Sequence, residues 1–234
     1  MTSIPEPAKE RLLILMRLLE KDAGGKADGR DDGGAAGRAA VTSAELESLT
    51  GWSSQTIRKD ISCLGGCCGD EGGAPGKVGS NAGYTAENLV PLIKRALGLD
   101  RPRRFCVVGL GRLGSAYLNV AFFEPGEFEL CAGFDTNVNR VEILKSPAPL
   151  YPAYKMAEVI RRFSIEIALL CVPGDAAQGA GERLAAAGIR GILNFAPVAL
   201  KLPPEVAVRN VNVVDELRAL AVKINVDRCM TENR

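Results

Sequence analysis

The chain has 234 residues, of which 47% are apolar and 24% charged, a balance typical of soluble globular proteins and not of disordered ones. This length predicts two domains, each able to bury its own core. The 29 basic and 28 acidic residues give a net charge of +1, which points to no polyanionic partner. The chain has no histidine, which excludes histidine general bases, Ser-His-Asp triads, Cys-His pairs and His-containing metal sites.

The cysteines and the apolar segments predict a cytoplasmic protein without disulfides. The seven cysteines are odd in number, and three lie within apolar runs, where thiols behave as small hydrophobic groups: Cys106, Cys131 and Cys171. The adjacent Cys67 and Cys68 leave a thiol switch open, but neighbouring cysteines more often have no redox role, and four suitably spaced zinc ligands are absent. The apolar stretch 12–19 is interrupted by Arg17 and too short to span a membrane, and no signal peptide is recognisable.

The first part of the chain alternates helical patterns with glycine-rich segments. Apolar residues at helical spacing predict amphipathic helices over 8–19 and 86–97. The segments 22–40 and 65–76 are rich in glycine and lack large aliphatic residues, so burial cannot offset their ordering entropy and we expect loops. Residues 77–84 can form a short hairpin or wing.

Between these glycine-rich segments, two short helical patterns are separated by a tight turn. Thr42 and Glu45 form a capping box at the start of the first helix, and Gly51 ends it. Ser53 or Ser54 can cap the second helix. Its buried face is indicated by apolar residues at positions i, i+4 and i+7: Ile57, Ile61 and Leu64. This is the pattern of a helix-turn-helix.

The second helix of this pair has the features of a recognition helix for the DNA major groove. Such a helix needs an apolar side that seats it, short polar side chains near its N-terminus and cations that bind phosphates. Gln55 could bind adenine, Arg58 could bind guanine or a phosphate, and Lys59 could bind a phosphate. Trp52 in the turn is a core residue or a hydrogen-bond donor to a phosphate. The polar residues expected to face DNA are Ser54, Gln55, Arg58, Lys59 and Ser62. An αα-hairpin with a solvated charged face is the alternative.

From residue 101 onward, short apolar runs alternate with helical patterns, which predicts a parallel sheet with crossover helices. The predicted strands are 105–108, 128–134, 165–172, 192–195 and 206–211. The predicted helices between them are 113–122, 154–163 and 176–187. A last helix, 214–224, carries an apolar stripe that must pack on another surface: Leu217, Leu220, Ala221 and Ile224.

The sequence VVGLGRLG places Gly109, Gly111 and Gly114 in a G-x-G-x-x-G pattern between a predicted strand and a predicted helix. In dinucleotide-binding folds the first glycine allows a tight turn, the second lets a pyrophosphate approach the backbone, and the third lets the helix meet the strand, while free amides and the helix dipole hold the anion. Asp135, about 20 residues further on, can accept hydrogen bonds from a ribose 2′-hydroxyl and would repel a 2′-phosphate. We therefore expect NAD(H) in preference to NADP(H), although Arg140 lies nearby. A glycine turn that binds no dinucleotide is the alternative.

Two further turns should lie beside the same cofactor-binding site, because ligands bind at the carboxyl ends of parallel strands. They are CVPG at 171–174 and NFAP at 194–197, and ordinary turn chemistry is the alternative for both. The residues expected at the cofactor are Gly109, Leu110, Gly111, Arg112, Leu113, Gly114, Asp135, Thr136, Val172, Pro173, Asn194, Ala196 and Pro197.

Taken in order, these motifs resemble the Rex family of redox-sensing transcriptional repressors. The stretches that carry the resemblance are VTSAELESLTGWSSQTIRKDIS, VVGLGRLG, AGFD, CVPGDAAQ, GIRGILNFAPVAL and VRNVNVVDEL, with Gly83 and Tyr84 in the wing. The resemblance implies an α/β protein with a winged helix-turn-helix domain at 1–100, a Rossmann-like parallel sheet domain at 101–211 that binds NAD(H), and a C-terminal helix at 212–234 swapped between the subunits of a homodimer. It adds Lys77 and Tyr84 of the wing to the expected DNA contacts.

The same resemblance implies a regulator that is not an enzyme, and the sequence itself predicts no metal site and no membrane span. The dimer would bind double-stranded operator DNA and be released when NADH replaces NAD. The chain also departs from the family pattern. Its glycine-rich loops are long, VGSNAG separates Lys77 from Tyr84, and Val120 stands where relatives often carry an aromatic residue. The proline-rich segment 146–154 lacks the clean strand expected there.

Two other functions remain open from the sequence alone. An NAD-dependent oxidoreductase would need a proton donor beside the transferred hydride, and no Tyr-x-x-x-Lys pair follows the glycine motif. A CoA-binding module uses a similar Rossmann branch, but Asp135 argues against it.

Overall fold

The computed structural model describes residues 4–24, 41–65, 84–119 and 126–231. Within it the chain forms two compact units, Met1–Arg101 and Pro102–Arg234. Most of the two predicted glycine-rich loops, the wing residue Lys77, the Cys67–Cys68 pair and Val120 lie outside the described residues.

The described part of the first unit contains four helices, α1 (Glu6–Gly24), α2 (Ser43–Thr50), α3 (Ser54–Gly65) and α4 (Ala86–Leu97). The predicted capping box is present: the Glu45 amide donates to Thr42 Oγ1 at 3.2 Å, and the Thr42 amide donates to Glu45 Oε2 at 2.7 Å. Gly51 ends α2 with a φ of +74°, a left-handed conformation that glycine adopts without strain. The structure therefore confirms the predicted turn between α2 and α3.

An apolar core and one ion pair hold α3 against α1. Leu12 of α1, Ile57 of α3 and Ile93 of α4 are completely buried in this core, and burial of each such side chain contributes about 1.5–3 kcal/mol. Arg11 donates from Nε and Nη2 to the two carboxylate oxygens of Asp60, at 2.6 and 2.9 Å, and Asp60 is buried. Because α3 uses this side for packing, its opposite side is left exposed.

The second unit contains a parallel sheet of six strands in the order β3-β2-β1-β4-β5-β6. This is the strand order of dinucleotide-binding folds. In these folds a crevice opens at the carboxyl ends of β1 and β4, where the strand order reverses. The strands are β1 (Arg103–Val108), β2 (Phe128–Asp135), β3 (Leu150–Pro152), β4 (Ile167–Leu170), β5 (Gly191–Asn194) and β6 (Ala207–Asn210). The helices are α5 (Arg112–Tyr117), α6 (Val138–Ile143), α7 (Met156–Phe163), α8 (Gly174–Ala187) and α9 (Val213–Thr231).

Both faces of the sheet are buried in its central strands β1, β2 and β4, which explains the continuous apolar runs in their sequences. Cys106 and Val108 of β1 point into a core that also contains apolar residues of α7 and α8. Phe105 and Val107, which alternate with them, enter a second core that contains Leu118. The five strands predicted from these runs are all present.

Two elements of the second unit, α6 and β3, have no counterpart among the predicted ones. β3 has three residues and ends in Pro152 within a proline-rich segment. Proline cannot donate to a sheet ladder, but β3 lies at the edge of the sheet, where it pairs only with β2. The helix predicted over 113–122 is described as α5 up to Tyr117, and the helix predicted over 154–163 begins with a 3₁₀ turn at Ala153–Lys155.

The last helix, α9, is the most exposed apolar surface of the described chain. Six of its large aliphatic side chains are more than half exposed: Val213, Val214, Leu217, Leu220, Val222 and Ile224. None of the described helices combines the length and the apolar character needed to cross a bilayer. The same residues contain no group of three side chains placed to bind a metal ion.

Candidate functional site

A crevice of about 510 Å³ opens at the carboxyl ends of β1, β2 and β4. This volume falls in the range typical of small-molecule sites. The turns that follow the three strands contribute most of the residues that sequence analysis predicts at the cofactor: Gly109, Gly111, Arg112, Leu113, Asp135, Thr136, Val172 and Pro173. The structure thus places the glycine motif and the CVPG turn on one cavity.

Gly109 and Gly114 are required by the fold itself. Gly109 has a φ of +89°, and a Cβ there would lie 2.6 Å from the carbonyl oxygen of Cys171. A Cβ on Gly114 would lie 1.8 Å from the carbonyl oxygen of Gly109. These two glycines therefore let β1 approach the turn after β4 and let α5 pack against the end of β1.

Gly111 differs from both. Its φ of −68° is accessible to any residue, and a Cβ built there would meet no atom within 4 Å. Gly111 nevertheless lines the crevice, and an added methyl group would meet open space there. Neither the backbone nor the packing requires glycine at this position, whereas an anion bound against the main chain does.

Asp135 has a structural role that the sequence does not predict. It is 5% exposed, and its Oδ2 accepts a hydrogen bond from the Leu110 amide while Oδ1 accepts one from the Asn137 amide, both at 2.7 Å. Arg140 Nη1 lies 3.4 Å from Oδ2. The carboxylate therefore fastens the glycine loop to the turn after β2. Carboxylate oxygens can each accept further bonds, so a ribose hydroxyl is still compatible with this arrangement.

Five of the predicted cofactor residues do not line the crevice: Leu110, Gly114, Asn194, Ala196 and Pro197. Leu110 is buried, and its amide is already bonded to Asp135. Asn194 is also buried; its amide group donates to the Val198 carbonyl at 2.7 Å and to Asn210 Oδ1 at 2.9 Å, and its Oδ1 accepts from the Ala196 amide at 3.0 Å. Asn194 therefore shapes the NFAP turn from inside, and its fully buried side chain is not exposed to a ligand in the crevice.

Other crevice residues were not among the predicted ones. They come from the ends of β1 and β2, from α6, α7 and α8, and from the turns after β4 and before α7: Val108, Phe134, Arg140, Ala153, Met156, Cys171, Ala176, Ala180 and Arg183. The small residues Ala176 and Ala180 are spaced i, i+4 on α8, a pattern that could have indicated a helix face open to a ligand. Burial raises the pKa of the Cys171 thiol to about 12, so this cysteine remains protonated at neutral pH.

The exposed side of α3 carries most of the side chains predicted to contact DNA. Gln55 and Lys59 are exposed, and within the described part of the chain no hydrogen bond restrains either side chain. Arg58 is exposed but donates from Nε and Nη2 to Ser43 Oγ on α2, at 3.2 and 3.0 Å. Ser43 thus holds the Arg58 guanidinium beside the turn between α2 and α3.

The two serines of this side are engaged locally. The Ser54 amide and hydroxyl both donate to Glu47 of α2, and these bonds lower the pKa of the Glu47 carboxyl. The hydroxyl of Ser62 donates to the Lys59 carbonyl at 2.6 Å. The contacts of Ser54 and Ser62 with DNA remain predictions.

Tyr84 is placed in the core of the first unit, away from the surface expected of a wing residue. It is 8% exposed and packs in the apolar cluster that includes Leu46 and Ile57. Its backbone pairs with Val41 in an antiparallel bridge, with two hydrogen bonds of 2.7 and 2.8 Å. Tyr84 therefore anchors the segment before α4, and a buried ring is not available to a DNA groove.

Known proteins with similar sequences identify the family. A family model described as a CoA binding domain matches residues 100–198. The redox-sensing transcriptional repressor Rex of Limosilactobacillus reuteri is 35% identical over 219 residues, which cover 93% of this chain and 92% of the relative. Rex of Levilactobacillus brevis is 36% identical over 180 residues, which cover 77% of this chain and 80% of the relative. The chain belongs to the Rex family of redox-sensing transcriptional repressors.

Solved structures of a Rex-family repressor, RSP, have the same fold. The structure of RSP in complex with β-NADH matches with a TM-score of 0.79 at 26% identity and covers 100% of both chains. RSP in complex with β-NAD+ and operator DNA matches with a TM-score of 0.78 at 27% identity and covers 99% of this chain and 97% of that one. These matches confirm the predicted fold class for this Rex-family chain, a winged-helix domain followed by a Rossmann-like parallel sheet domain.

Proposed function

We propose that this chain is a redox-sensing repressor, located in the cytoplasm, that binds operator DNA as a homodimer and is released when NADH replaces NAD+. The observation that carries the proposal is the match over almost the whole chain to RSP, which has been solved with NADH and with NAD+ and operator DNA. The crevice at the glycine motif and the exposed cationic side of α3 support the two binding functions separately.

The residues that would hold the dinucleotide are those that line the crevice. Gly111 leaves room for a pyrophosphate against the main chain, and the amides of Arg112 and Leu113 are the donors nearest to it in sequence. Asp135 and Thr136 lie at the carboxyl end of β2, where an adenosine ribose binds in this fold, and Val172 lies at the turn after β4. The open cradle at Gly111 fits such a group.

The two redox states of the cofactor differ in charge at the nicotinamide ring. When bound, the cofactor supplies a nicotinamide ring that is cationic in NAD+ and uncharged in NADH. The charged residues that line the crevice are Arg112, Arg140, Arg183 and the single carboxylate of Asp135, which is buried and hydrogen-bonded. Arg140 pairs with Asp135 at the adenosine end, and the cationic lining as a whole suits the anionic pyrophosphate of the cofactor.

A difference in affinity is the only means by which the cofactor can shift the conformational equilibrium of the dimer. The dimer must change from a population that mostly binds DNA to one that mostly does not. This change requires a difference in binding free energy between the two redox states on the order of 3 to 5 kcal/mol, shared between two cofactors. Repression is therefore expected at a low ratio of NADH to NAD+ and release at a high ratio.

The same crevice supports a sensor in preference to an enzyme. Hydride transfer to or from a small substrate requires a proton donor beside the reacting carbon. Among the described crevice residues, Asp135 is engaged by two backbone amides, Cys171 is held in its neutral form by burial, and the other titratable groups are arginines. We expect no turnover with alcohols or hydroxy acids.

A mobility-shift titration tests the proposed function. The full chain is mixed with duplexes from upstream of fermentative genes, and NAD+ and NADH are titrated separately. We expect a retarded complex that persists with NAD+ and dissociates with NADH, because only NADH favours the form released from DNA. Equal affinity for the two cofactors, measured by calorimetry with and without the duplex, would contradict redox sensing.

The exposed apolar side of α9 is the surface proposed to form the homodimer, with α9 exchanged between subunits. Leu217 and Leu220 are 59% and 54% exposed, and an apolar stripe of this length is stable in water only when another surface covers it. Replacing both residues by aspartate should convert the dimer into a monomer of 24.8 kDa, as measured by light scattering during gel filtration. Lys223→Asp, an exposed polar position on the same helix, should leave the dimer intact. A dimer that survives the double substitution would exclude α9 from the interface.

Coenzyme A is the second candidate ligand, because residues 100–198 match the CoA binding domain. The two ligands can be separated by the fluorescence of bound NADH. If the protein enhances NADH fluorescence and excess CoA does not reduce it, the site binds the dinucleotide and not CoA. If CoA abolishes the enhancement, the two ligands share one site.

A further inference from the structure

Two side chains of α2 hold two residues of α3 at matching positions along the helices. Ser43 and Glu47 are spaced i, i+4 on α2, and Ser54 and Arg58 are spaced i, i+4 on α3, so each pair lies on one face of its helix. Glu47 Oε2 accepts bonds from the amide of Ser54, at 3.1 Å, and from its hydroxyl. Ser43 Oγ accepts two bonds from Arg58. α2 therefore holds the first residue of α3 and, about one turn later, a side chain expected to bind DNA.

Ser43 is a fixed point for the guanidinium of Arg58. It is the first residue of α2 and directly follows Thr42, whose capping box with Glu45 sets the backbone there. Ser43 is buried, whereas Arg58 is exposed. A long surface side chain is thus tied to a buried partner on the neighbouring helix.

The bonds to Ser43 use only one edge of the Arg58 guanidinium. This edge is formed by Nε and Nη2, which donate to the same oxygen at 3.2 and 3.0 Å. A guanidinium carries five N–H donors in a rigid plane. The edge formed by Nη1 and the second hydrogen of Nη2 makes no hydrogen bond within the part of the chain that the structure describes. Guanine presents two acceptors in the major groove, O6 and N7, which match two N–H donors of one guanidinium.

We propose that Ser43 is a positioning residue for operator recognition, which holds Arg58 so that the Nη1–Nη2 edge of its guanidinium binds O6 and N7 of a guanine. Ordering this side chain in the free protein reduces the rotamer entropy that would otherwise be lost at the DNA. This inference rests on the proposed function, because Arg58 meets a base only if α3 is the recognition helix.

Fluorescence anisotropy with modified duplexes tests the inference on the full chain in the presence of NAD+. The probes are the operator duplex retained in the mobility shift, the same duplex with 7-deazaguanine in place of one guanine at a time, and a shuffled duplex. 7-Deazaguanine lacks the N7 acceptor and keeps the Watson–Crick pairing. At the guanine that Arg58 binds, this replacement should lower the affinity of the original chain by about 10-fold.

Ser43→Ala should weaken binding only where that guanine is intact. We expect its affinity for the unmodified operator to fall by about 5-fold. For the duplex with 7-deazaguanine at that position, and for the shuffled duplex, the affinity should fall by less than about 2-fold. In a chain that already carries Arg58→Ala, Ser43→Ala should have no further effect, because the two residues act through one contact.

Two further variants separate positioning from a general effect on the fold. Ser48→Ala removes a hydroxyl from the same helix that donates to the Glu45 carbonyl at 2.7 Å, and it should leave all affinities unchanged. Ser43→Cys fills the same space with a weak acceptor, so it should act like Ser43→Ala without leaving a cavity. A thermal melt establishes that each variant is folded, and Ser43→Cys decides the question if Ser43→Ala is not.

The outcomes distinguish this inference from the proposed function. The inference is overturned if the Ser43 variants leave operator affinity unchanged, if they weaken all three kinds of duplex equally, or if Ser43→Ala weakens the Arg58→Ala chain further. Operator binding by α3 stands in each of these cases. If the original chain retains no duplex, the proposed function fails, and the inference fails with it.

Discussion

Replacing Gly111 by alanine is expected to leave the fold intact and to abolish the response of operator binding to NADH. The backbone at Gly111 suits any residue, and the added Cβ meets no protein atom within 4 Å, so the stability should change by less than about 1 kcal/mol. The methyl group would instead occupy the place where the pyrophosphate must approach the main chain. We expect the Kd for NADH to rise by about 100-fold, equivalent to about 2.7 kcal/mol. Calorimetry with NADH, a thermal melt and the mobility shift measure the three quantities on the same sample.

Gly114→Ala is the matched control for this substitution, because it adds the same methyl group to the same motif. Its Cβ would lie 1.8 Å from the Gly109 carbonyl oxygen, so α5 cannot keep its position against β1. A loss of stability of more than about 3 kcal/mol is expected, visible as a lower melting temperature. If Gly111→Ala binds NADH as tightly as the original chain, the cofactor does not lie against the glycine loop.

Replacing Arg58 and Lys59 together by alanine is expected to abolish operator binding while cofactor binding is retained. Both side chains are exposed on α3, opposite the residues that pack against α1. A base-reading arginine contributes about 1–3 kcal/mol, and a phosphate-binding lysine reduces the salt dependence of binding by about one unit of slope. Operator affinity should fall by at least about 100-fold in mobility shifts, and the Kd for NADH should be unchanged because the crevice lies wholly within the second unit.

The single variants separate the two roles, and Lys21→Ala provides the control for net charge. Lys59→Ala should weaken binding to all duplexes and lower the salt slope, whereas Arg58→Ala should also reduce the preference for operator over shuffled DNA. Lys21 is an exposed cation on α1, and its removal should leave operator affinity within about 3-fold. Undiminished operator binding by the double variant would exclude α3 as the recognition helix.

The sequence predicted those parts of the fold that are determined by local patterns. The capping box at Thr42, the left-handed turn at Gly51 and the full extent of α4 depend on residues within a few positions of each other. The buried strands are recognisable because both faces of the sheet are covered. By contrast, α6 has six residues and β3 has three, which is too short for a periodic pattern, and β3 lies in a proline-rich segment at the sheet edge.

The site was predictable where one motif fixes several residues and not where distant elements converge. The glycine motif located the crevice because strand, turn and helix follow one another directly. The sequence does not show that Asp135 bonds the Leu110 amide, that Asn194 is fully buried, or that Arg183 reaches the crevice from α8. Each of these facts depends on tertiary packing between elements far apart in the chain, as does the burial of Tyr84.

The packing of α3, the expected recognition helix, against α1 restricts how it can leave DNA. Pulling α3 away from α1 would break the Arg11–Asp60 hydrogen bonds and expose Ile57, Ile61 and Leu64, which are buried in the same core, at about 1.5–3 kcal/mol for each side chain. That cost is at least as large as the difference in binding free energy between NADH and NAD+, so we expect α3 to stay packed against α1 during release. We therefore expect the internal geometry of the first unit to be the same on and off the operator.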